Sequence, residues 1–391
     1  MNILYVSDST TLSGAEVVML QHVKHFAPPG HVRQVFLSAH NPRLRGALDE
    51  RGVPAHATGA YSQRIIQTTL NPAALTHFVR AFAEVSGEMA TIIRRERIDL
   101  VHSISYPASL YAAMAVKRAP AAHVWHEHNI KRLHAFNAPI YRWVARTCAA
   151  VLGPSDAVTQ NLATAGIPGQ TLKTLYNGID LGRFTADAGQ RAATRASLGI
   201  APGEAAVALF GQLLPYKGHR TLIDAVERLR PTHPHLRAFI VGALENPPYE
   251  QELRSLIEAR QLGACVSFTG WRPDVAQVMS AMDANVVATT TPEPAALALM
   301  ETMAVGRPLV ASRTGGTAEL VVDGVTGLLF EAGDAGALAA CLARILGDPA
   351  LAARLGEAGR ARVEARYTEA HHLAALEAIY ADALRARTAA S

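Results

Sequence analysis

The stretch from residue 206 to residue 229 reads AVALFGQLLPYKGHRTLIDAVERL. It opens with a short apolar run, Ala206–Phe210, which a glycine ends, and it closes with apolar residues at helical spacing over Thr221–Leu229. Short continuous apolar runs are typical of strands buried on both faces of a sheet, and a strand followed by a loop and a helix is the repeating unit of parallel sheets. The stretch therefore predicts an α/β unit whose loop lies at the carboxyl end of a parallel strand.

Apolar runs alternate with helical patterns through both halves of the chain. The other predicted strands are Ile3–Val6, Gln34–Ser38, Leu100–Ser103, Ala122–His126, Ala149–Gly153, Ala238–Val241, Val266–Phe268, Ala284–Ala288 and Pro308–Ala311. Because crossovers between parallel strands are right-handed, this repetition predicts two doubly wound α/β units rather than one large sheet. The alternation alone also permits a (β/α)₈ barrel, although 391 residues are long for one.

The boundary between the two units is predicted at the turn Asn177-Gly178, after which a polar stretch extends through Arg195. Helical patterning is again strong from Ala335 to Ala389. We therefore expect an N-terminal domain over residues 1–180, a C-terminal domain over residues 181–370 and a final helix over residues 371–391.

Composition excludes several classes of protein. Hydrophobic residues make up 49% of the chain and charged residues 18%, which excludes a disordered chain. The three cysteines, Cys148, Cys265 and Cys341, have no zinc or disulfide spacing, which predicts buried, reduced thiols in a cytoplasmic protein. Residues 1–8 read MNILYVSD and predict a buried strand rather than a signal peptide, and no uninterrupted apolar run is long enough to predict a membrane-spanning helix.

Positive charge is concentrated in the first half of the chain. Residues 1–180 hold 17 Lys and Arg against 11 Asp and Glu, whereas the remainder holds 20 against 22. This excess favours contact with an anionic membrane surface or an acidic acceptor, and an uneven solvated surface is the alternative. The basic stretches are Arg94–Arg97, Lys131-Arg132 and Arg142, of which the first also fits the cationic end of a helix. Nucleic-acid binding is disfavoured because no basic patch is interleaved with aromatic residues.

Two loops have the composition of phosphate-binding loops. Gly14 stands where the first strand gives way to the predicted helix Ala15–Phe26, so an anion can approach backbone N–H groups and the positive helix end. The loop Gly211–His219 contains Lys217, which can reach a diphosphate from the carboxyl end of a parallel strand. The alternatives are a structural glycine and a solvated lysine. The absence of GxxxxGK[ST] disfavours a P-loop ATPase.

Two glutamates, Glu293 and Glu301, flank an apolar run. Pro294 fits the first turn of a helix and so predicts Glu293 at the N-cap, where a carboxylate can cap the helix or bind a sugar hydroxyl. Eight positions are a little over two turns, so the two carboxylates share a face if the whole segment is helical. Glu301 can accept two hydroxyl hydrogen bonds, as in ribose binding, whereas a capping glutamate and a surface glutamate are the alternatives.

Two further motifs follow predicted strands. Gly315-Gly316, followed by Thr317, permits close approach of the backbone to an anion. His126 and His128 point the same way if the chain there is extended. A metal site is conceivable at the two histidines, but HExH is not the zinc motif HExxH. Hydrogen bonding of a histidine to a sugar hydroxyl is therefore favoured. The alternative is a loop histidine whose hydrogen bonds are satisfied within the protein.

In their order and spacing these sites resemble family 4 retaining glycosyltransferases of the GT-B fold, from Asn2 to about Tyr380. The resemblance rests on Ser13–Glu16, Asp99–Ser103, Asn177–Asp180 with Phe184, Gly211 with Lys217-Gly218, Val241-Gly242, Val266–Gly270, Glu293 with Glu301, Gly315-Gly316 with Glu319, and Val325–Phe330. It implies two Rossmann-like domains that face each other across a cleft, with a C-terminal helix crossing back to the N-terminal domain. The first domain would bind the acceptor and the second the nucleotide sugar.

The resemblance also implies roles for individual residues. Lys217 would hold the donor phosphates, Glu301 would hold the ribose, and Glu293 would lie near the donor sugar. The backbone contacts to the donor would come from Gly14, Gly211, Gly242, Gly315, Gly316 and Thr317. Either His128 or His126 would reach the sugar, and His128 is preferred because Asn129 follows it.

The chain departs from the family pattern at three places. Gln212 stands where an arginine is frequent, which removes a cation from the leaving diphosphate. Either Arg272, Arg313 or another group would compensate for the lost charge, or activity would be weak. Ala295-Ala296 replaces a bulky apolar residue and a glycine, which changes the shape of the donor pocket. Gly14 is single where a glycine pair is frequent.

The resemblance thus implies transfer of a sugar from a UDP-, GDP- or ADP-sugar to a lipid-linked, polysaccharide or small-molecule acceptor. It implies retention at the anomeric carbon without a required metal or other cofactor. We expect a cytoplasmic protein, with the basic first domain as the surface for any peripheral contact with the inner face of the membrane. Two alternatives stay open, namely a GT-B epimerase or phosphorylase and a catalytically weak GT-B binding subunit.

Overall fold

Two open parallel sheets organise the chain, and each lies in a compact unit of its own. The computed structural model describes residues 1–26, 33–58, 72–185, 188–244 and 246–390. The first unit comprises Met1–Tyr176 and Ala370–Ser391, and the second comprises Asn177–Glu369. The bounds of 1–180, 181–370 and 371–391 with their assigned roles, and the cleft between the domains, stay predictions.

The sheet of the first unit has the strand order β3-β2-β1-β4-β5-β6-β7, with every neighbouring pair parallel. Its strands are β1 (Asn2–Ser7), β2 (Arg33–Ser38), β3 (Ala55–Ala57), β4 (Leu100–Ser103), β5 (Ala122–His126), β6 (Ala150–Gly153) and β7 (Leu172–Thr174). The helices of this unit are α1 (Gly14–Phe26), α2 (Pro42–Asp49), α3 (Pro72–Arg95), α4 (Tyr106–Arg118), α5 (Ala138–Ala145), α6 (Asp156–Ala163) and α15 (Glu369–Ala390).

The sheet of the second unit has the strand order β10-β9-β8-β11-β12-β13, again parallel throughout. Its strands are β8 (Ala205–Phe210), β9 (Leu236–Val241), β10 (Val266–Gly270), β11 (Ala284–Val287), β12 (Leu309–Ser312) and β13 (Leu328–Phe330). Its helices are α7 (Ala188–Ser197), α8 (His219–Leu229), α9 (Pro247–Ala259), α10 (Val275–Ala281), α11 (Leu297–Ala304), α12 (Thr317–Leu320), α13 (Ala335–Gly347) and α14 (Pro349–Arg366).

The order of strands reverses at the same place in both sheets. In the first sheet β1 lies between β2 and β4, and in the second β8 lies between β9 and β11. The loops that leave neighbouring strands diverge at such a switch point, and ligands of open α/β sheets bind there, at the carboxyl ends of the strands. The two Rossmann-like units predicted from the sequence are therefore confirmed, and the (β/α)₈ barrel is excluded as the architecture of these sheets.

All ten strands predicted from apolar runs are present, with each end within two residues of the predicted one. The three unpredicted strands are β3, β7 and β13, which have three residues each and lie at sheet edges. Three residues are too few to show a periodicity, which explains why the sequence pattern missed them.

The last helix packs on the first sheet. Leu376, Ile379 and Tyr380 of α15 join the same buried cluster as Tyr5 of β1 and Met19 of α1. The crossing back of the C-terminal helix, expected from about residue 371, is therefore confirmed, with the helix beginning at Glu369. Arg94 and Arg95 lie in the last turn of α3, which confirms the helix-end interpretation of that basic stretch.

Among the described helices, none by itself is both long and apolar enough to cross a membrane. The pair α13 and α14 meets the length and composition criteria only jointly and is bent by 104°.

Candidate active site

Loops at the carboxyl edge of the second sheet pack backbone against backbone. Gly211 directly follows β8 and Gly242 directly follows β9, and the Gly211 amide donates to the carbonyl of Val241 at 3.0 Å. A Cβ added at Gly242 would lie 1.8 Å from the carbonyl oxygen of Gly211, which no side chain permits. Glycine at position 242 therefore lets the two loops touch.

The Lys217 loop is fastened to the loop after β11. Residues Pro215–Lys217 form one 3₁₀ turn, which Gly218 ends in the left-handed region at φ +80°. A Cβ at Gly218 would lie 1.9 Å from the carbonyl oxygen of Ala288, and the amide of Thr290 donates to the carbonyl of Tyr216 at 2.8 Å. The position of the lysine is thus fixed by contacts on both sides of its turn.

An ion pair joins two of the predicted site residues. The ammonium of Lys217 lies 2.7 Å from Oε2 of Glu293, and these side chains are only 19% and 11% exposed. The Thr289 hydroxyl donates to the same carboxylate oxygen at 3.0 Å, and the Ser312 hydroxyl donates to the Thr289 carbonyl at 2.7 Å. A lysine and a glutamate 76 residues apart thus meet at the switch point of the sheet.

The prediction that Glu293 is a helix N-cap is wrong. Helix α11 begins at Leu297 with Ala296 as its N-cap residue, so Glu293 lies in the loop before it. The two glutamates therefore do not share a helix face. The Glu293 carbonyl bonds the Gly316 amide and its carboxylate bonds Lys217, so the residue is held by two other loops although Pro294 would be tolerated in a first turn.

The Gly315-Gly316 loop closes on the Glu293 backbone. Gly315 has a φ of +51°, and a Cβ there would lie 2.1 Å from the Glu293 carbonyl oxygen. The Gly316 amide donates to that carbonyl at 2.8 Å, and the Thr317 amide donates to the Thr314 carbonyl at 3.1 Å. The predicted contacts of these amides with phosphate or sugar stay a prediction, and in this conformation two of them bond to protein carbonyls.

Glu301 lies in the second half of α11. Burial raises the pKa of its carboxyl to about 7, and the positive charge of Arg183 partly offsets this by lowering the pKa. Arg183 belongs to the turn that Asp180 closes by accepting the Gly182 amide at 2.9 Å. The Asn177–Asp180 motif thus shapes the turn whose cation acts electrostatically on Glu301, an interaction that no sequence pattern predicted.

The arginines considered as substitutes at the Gln212 position both make ion pairs. Arg272 forms two hydrogen bonds with Asp274, at 2.8 Å and 2.6 Å, and lowers the pKa of that carboxyl. Arg313 lies 2.7 Å from Asp323 and 3.4 Å from Glu331. Compensation by either guanidinium requires it to leave or share its carboxylate partner.

Gly14 is the first residue of α1 and is exposed at the carboxyl edge of the first sheet. The carboxylate of Glu16 turns back to accept from the Ser13 amide at 3.0 Å and from the Ser7 hydroxyl at 3.0 Å. This arrangement is one half of a capping box, because the Glu16 carboxylate bonds the Ser13 amide while the Ser13 hydroxyl also donates to that carboxylate. The Ser13–Glu16 motif therefore has a structural role, and the diphosphate contact at Gly14 stays a prediction.

The loop that carries His128 is organised by Glu127. Its buried carboxylate accepts from the Asn129 amide at 3.0 Å and lies 3.1 Å from the Lys131 ammonium through the same oxygen, Oε1. The His126 and His128 rings lie 4.0 Å apart between centroids, on the same side as predicted. Burial lowers the pKa of His128 to about 3 and that of His126 further below its usual value.

His126 belongs to a buried cluster of rings that the sequence did not predict. His372 donates from Nδ1 to the Tyr176 carbonyl at 2.7 Å, which leaves its Nε2 to accept from Nε2 of His22 at 2.7 Å. His126 stacks on His22 at 6.4 Å, and within the described part of the chain neither of its ring nitrogens has a hydrogen-bond partner. His102 lies 5.5 Å from both rings. The cluster is thus built for neutral imidazoles.

The metal alternative for His126 and His128 finds no third ligand. Among the described residues, no three His, Cys, Asp or Glu side chains are placed to hold a metal ion.

Comparison with known proteins identifies the family of this chain. A family model described as Glycosyltransferase Family 4 matches residues 12–183, and one described as Glycosyl transferases group 1 matches residues 190–362. A GDP-mannose-dependent monoacylated alpha-(1-6)-phosphatidylinositol monomannoside mannosyltransferase of Corynebacterium glutamicum is 30% identical over 294 residues, which are 72% of this chain and 75% of that protein. This chain is a family 4 glycosyltransferase.

Two further relatives cover almost the whole glycosyltransferase. A D-inositol 3-phosphate glycosyltransferase of Stackebrandtia nassauensis is 27% identical over 96% of this chain and 88% of that protein. The structure of Anabaena HepE in complex with UDP and glucose is 25% identical and has a TM-score of 0.84, covering 97% of this chain and 99% of that one. The GT-B fold and the enzyme class expected from the sequence are therefore confirmed.

The roles of the individual site residues stay predictions. The structure joins Lys217, Glu293 and the Gly315-Gly316 loop into one site of the glycosyltransferase, and it places Glu301 on the adjoining helix α11. It also adds Thr289, which shares the Glu293 carboxylate, and Gly218, which sets the close approach to Ala288. Of these two residues, only Gly218 had a signal in the sequence, as part of the Lys217-Gly218 pair. Thr289 stands in a polar run that has no distinguishing pattern.

Proposed function

We propose that this enzyme transfers a sugar from a UDP-, GDP- or ADP-sugar to a lipid-linked, polysaccharide or small-molecule acceptor, with retention at the anomeric carbon and no required metal. The donor class is supported by the relatives, one named for its dependence on GDP-mannose and one captured with UDP and glucose. The acceptor classes are supported by relatives named for transfer to a phosphatidylinositol mannoside and to inositol 3-phosphate.

One observation carries the proposal most directly. Lys217 lies in a turn at the carboxyl end of β8, beside the reversal of strand order, and its ammonium meets the Glu293 carboxylate, which also accepts from the Thr289 hydroxyl. A cation fixed at this place faces the position where open α/β sheets bind nucleotide phosphates. Binding of a donor diphosphate then exchanges the Glu293 partner of the lysine for a phosphate oxygen and frees the carboxylate for a sugar hydroxyl.

The chemistry requires charge stabilisation more than a nucleophile. The bond between the anomeric carbon and the diphosphate oxygen breaks, and the acceptor oxygen forms its bond to the same carbon on the same face. The acceptor proton passes to the departing phosphate oxygen. The Lys217 ammonium would stabilise the negative charge as it develops, and loss of one such preorganised donor typically costs about 3 kcal/mol of barrier, or roughly 10²-fold or more in rate.

The place of the reaction is proposed to be the cytoplasm, with peripheral contact of the first unit at the inner face of the membrane. The support is the cation excess of residues 1–180, which hold 17 Lys and Arg against 11 Asp and Glu.

The first experiment identifies the donor and tests the lysine. Thermal-shift titration with UDP-, GDP- and ADP-sugars is expected to show stabilisation by one nucleotide class. Lys217→Ala is expected to lower the rate of transfer from that donor by at least about 10²-fold with an unchanged far-UV spectrum. Lys173→Ala, which removes an exposed ion pair with Asp382 in the first unit, is the matched control. Wild-type turnover by Lys217→Ala would remove the lysine from the mechanism.

The same reaction mixture separates the alternatives. Nuclear magnetic resonance of the product reports the anomeric configuration, and inversion would contradict retention. Nucleotide release that does not depend on an acceptor indicates an epimerase or phosphorylase. Absence of any nucleotide-sugar affinity indicates a binding subunit. A rate that chelators abolish and added Mg²⁺ restores would overturn the metal-independent proposal.

A further inference from the structure

Two large apolar side chains project from the first unit just beyond the His128 loop. Phe136 is 90% exposed and Ile140, in the first turn of α5, is 44% exposed. A helix on the surface of a globular protein normally buries its apolar face and turns polar side chains outward. Two large exposed apolar side chains four residues apart are a starting point for an interaction surface, for which charge and local order supply the further evidence.

The exposed phenylalanine stands on an ordered loop. The side chain of Asn137 accepts from the His134 amide at 2.9 Å and donates to the Arg132 carbonyl at 3.0 Å, which closes the turn around Phe136. On either side of the turn, Leu133 and Tyr141 pack into the core cluster of this part of the unit. The segment is thus anchored at both ends while its tip points away from the core.

Cations flank the exposed pair along the sequence. Between Glu127 and Asp156 the sequence contains no Asp or Glu, whereas it contains Lys131, Arg132, Arg142 and Arg146. The end of the preceding helix adds Lys117, whose ammonium lies 4.9 Å from the ring centre of Trp143 on α5. Both arginines nearest the apolar pair in sequence, Arg132 and Arg142, are exposed.

We propose that the surface formed by residues 131–146 docks on an anionic lipid bilayer, with Phe136 and Ile140 entering the interface and the exposed Arg132 and Arg142 meeting lipid headgroups. Apolar side chains ringed by Lys and Arg are the combination that binds peripheral proteins to anionic membranes. The inference rests on the proposed function in one respect, since it selects the lipid-linked class among the acceptors.

The position of this surface gives it a role in the reaction. It continues directly from the loop that Glu127 organises, in which His128 lies and Lys131 closes the ion pair. A bilayer on residues 131–146 would therefore lie next to the loop whose histidine is predicted to reach the sugar, in the domain expected to bind the acceptor. The headgroup of a lipid-linked acceptor could then reach that loop while its acyl chains stay in the membrane.

Charge distinguishes a bilayer from a second copy of the chain. In a two-fold symmetric dimer the same patch meets itself, so the cations of residues 131–146 would face like charges. An anionic membrane supplies the opposite charge over the whole surface, together with an apolar phase for Phe136 and Ile140.

Vesicle co-sedimentation of the full chain tests the proposal. Binding is expected to vesicles of phosphatidylcholine with about one third phosphatidylglycerol and to be much weaker to phosphatidylcholine alone. Phe136→Ser is expected to weaken binding about ten-fold, and Arg132→Gln and Arg142→Gln about five-fold each. Val325→Ser, at a position 52% exposed in the second unit, is the matched control and should bind like the wild type. The melting temperature of each variant confirms that it is folded.

Several outcomes overturn the proposal. Equal binding of the wild type and Phe136→Ser, equal binding to the two lipid mixtures, or no binding at all each contradicts it. A dimer in solution that Phe136→Ser dissociates would assign the surface to a second copy instead. UDP and GDP titrations on the same samples keep the two hypotheses apart. Vesicle binding without nucleotide binding refutes the proposed reaction alone. Nucleotide binding without vesicle binding refutes the membrane surface alone.

Discussion

Acid sensitivity of the first unit follows from its buried histidines, and His126 offers the cleanest perturbation. Its ring is fully buried and stacks on His22, and neither nitrogen has a hydrogen-bond partner among the residues that the structure describes. Burial, and then the neighbouring histidines, lower the pKa of this ring well below 6.5. Replacement by phenylalanine keeps an aromatic ring in the stack and removes one group that titrates, without breaking a hydrogen bond.

The sign and the size of the effect follow from proton linkage. A histidine whose pKa is lowered in the folded state binds a proton only after unfolding, so its stability contribution is complete above pH 6.5 and is lost as the pH falls below that value. Between pH 8 and pH 5 the unfolded ring gains about 1.36 kcal/mol for each unit below 6.5, or about 2 kcal/mol in total. Because the folded ring stays neutral at pH 5, this value does not depend on how far its pKa is lowered.

The assay compares urea unfolding of the wild type and His126→Phe at pH 8 and at pH 5. Trp125 is buried in the first unit and Trp143 lies in the same unit, so tryptophan fluorescence reports chiefly on its unfolding. The loss of unfolding free energy between the two pH values is expected to be about 2 kcal/mol smaller in His126→Phe. His235→Phe, at an exposed position of the second unit, is the matched control and should leave that loss unchanged.

The reasoning fails if the wild type and His126→Phe lose the same free energy between pH 8 and pH 5. That result would mean that the buried ring takes up its proton without unfolding. Any part of the difference in unfolding free energy between the two proteins that is the same at both pH values reports only packing of the larger ring. It does not affect the comparison of how much free energy each protein loses between pH 8 and pH 5.

Three further perturbations address the second unit. Burial raises the pKa of Glu301 to about 7, and only the ionised form would accept two ribose hydroxyls, so nucleotide affinity by calorimetry is expected to rise about ten-fold from pH 6 to pH 8. In Glu301→Gln the affinity should become independent of pH, and an unchanged pH dependence in the variant contradicts the ribose role. Gly218→Ala places a Cβ 1.9 Å from the Ala288 carbonyl oxygen and is expected to cost at least about 3 kcal/mol of unfolding free energy. Gly199→Ala, at a glycine with φ +68° and open space around it, is the control and should cost only about 1 kcal/mol. Equal losses in urea titrations argue against the close contact. Glu293→Gln is expected to lower kcat about 10²-fold with an unchanged melting temperature, and wild-type kcat in steady-state assays excludes a direct part in transfer.

Local chemistry made much of the fold predictable. Apolar runs such as Ala206–Phe210 are strands because they are short and bounded by glycine, and the loops that follow them lie at the carboxyl edge because parallel strands all point the same way. The family resemblance used the same local motifs, and for that reason its fold and enzyme class were confirmed.

Other features depend on contacts between distant residues, and no local pattern encodes them. Glu293 was predicted to cap a helix because Pro294 fits a first turn, yet its loop is held by Lys217 and by the Gly316 amide, so the helix starts later. The pairing of His22 with His372 joins residues 350 positions apart.

The sequence by itself determined which segments are strands and helices, which loops leave the sheets at their carboxyl ends, and which family the chain belongs to. Only the tertiary structure decided which side chains lose their water, such as Glu301 and His126, and which charges they meet. The physical reason is that apolar patterning acts over a few neighbouring residues, whereas desolvation and ion pairing depend on every element that packs around a group.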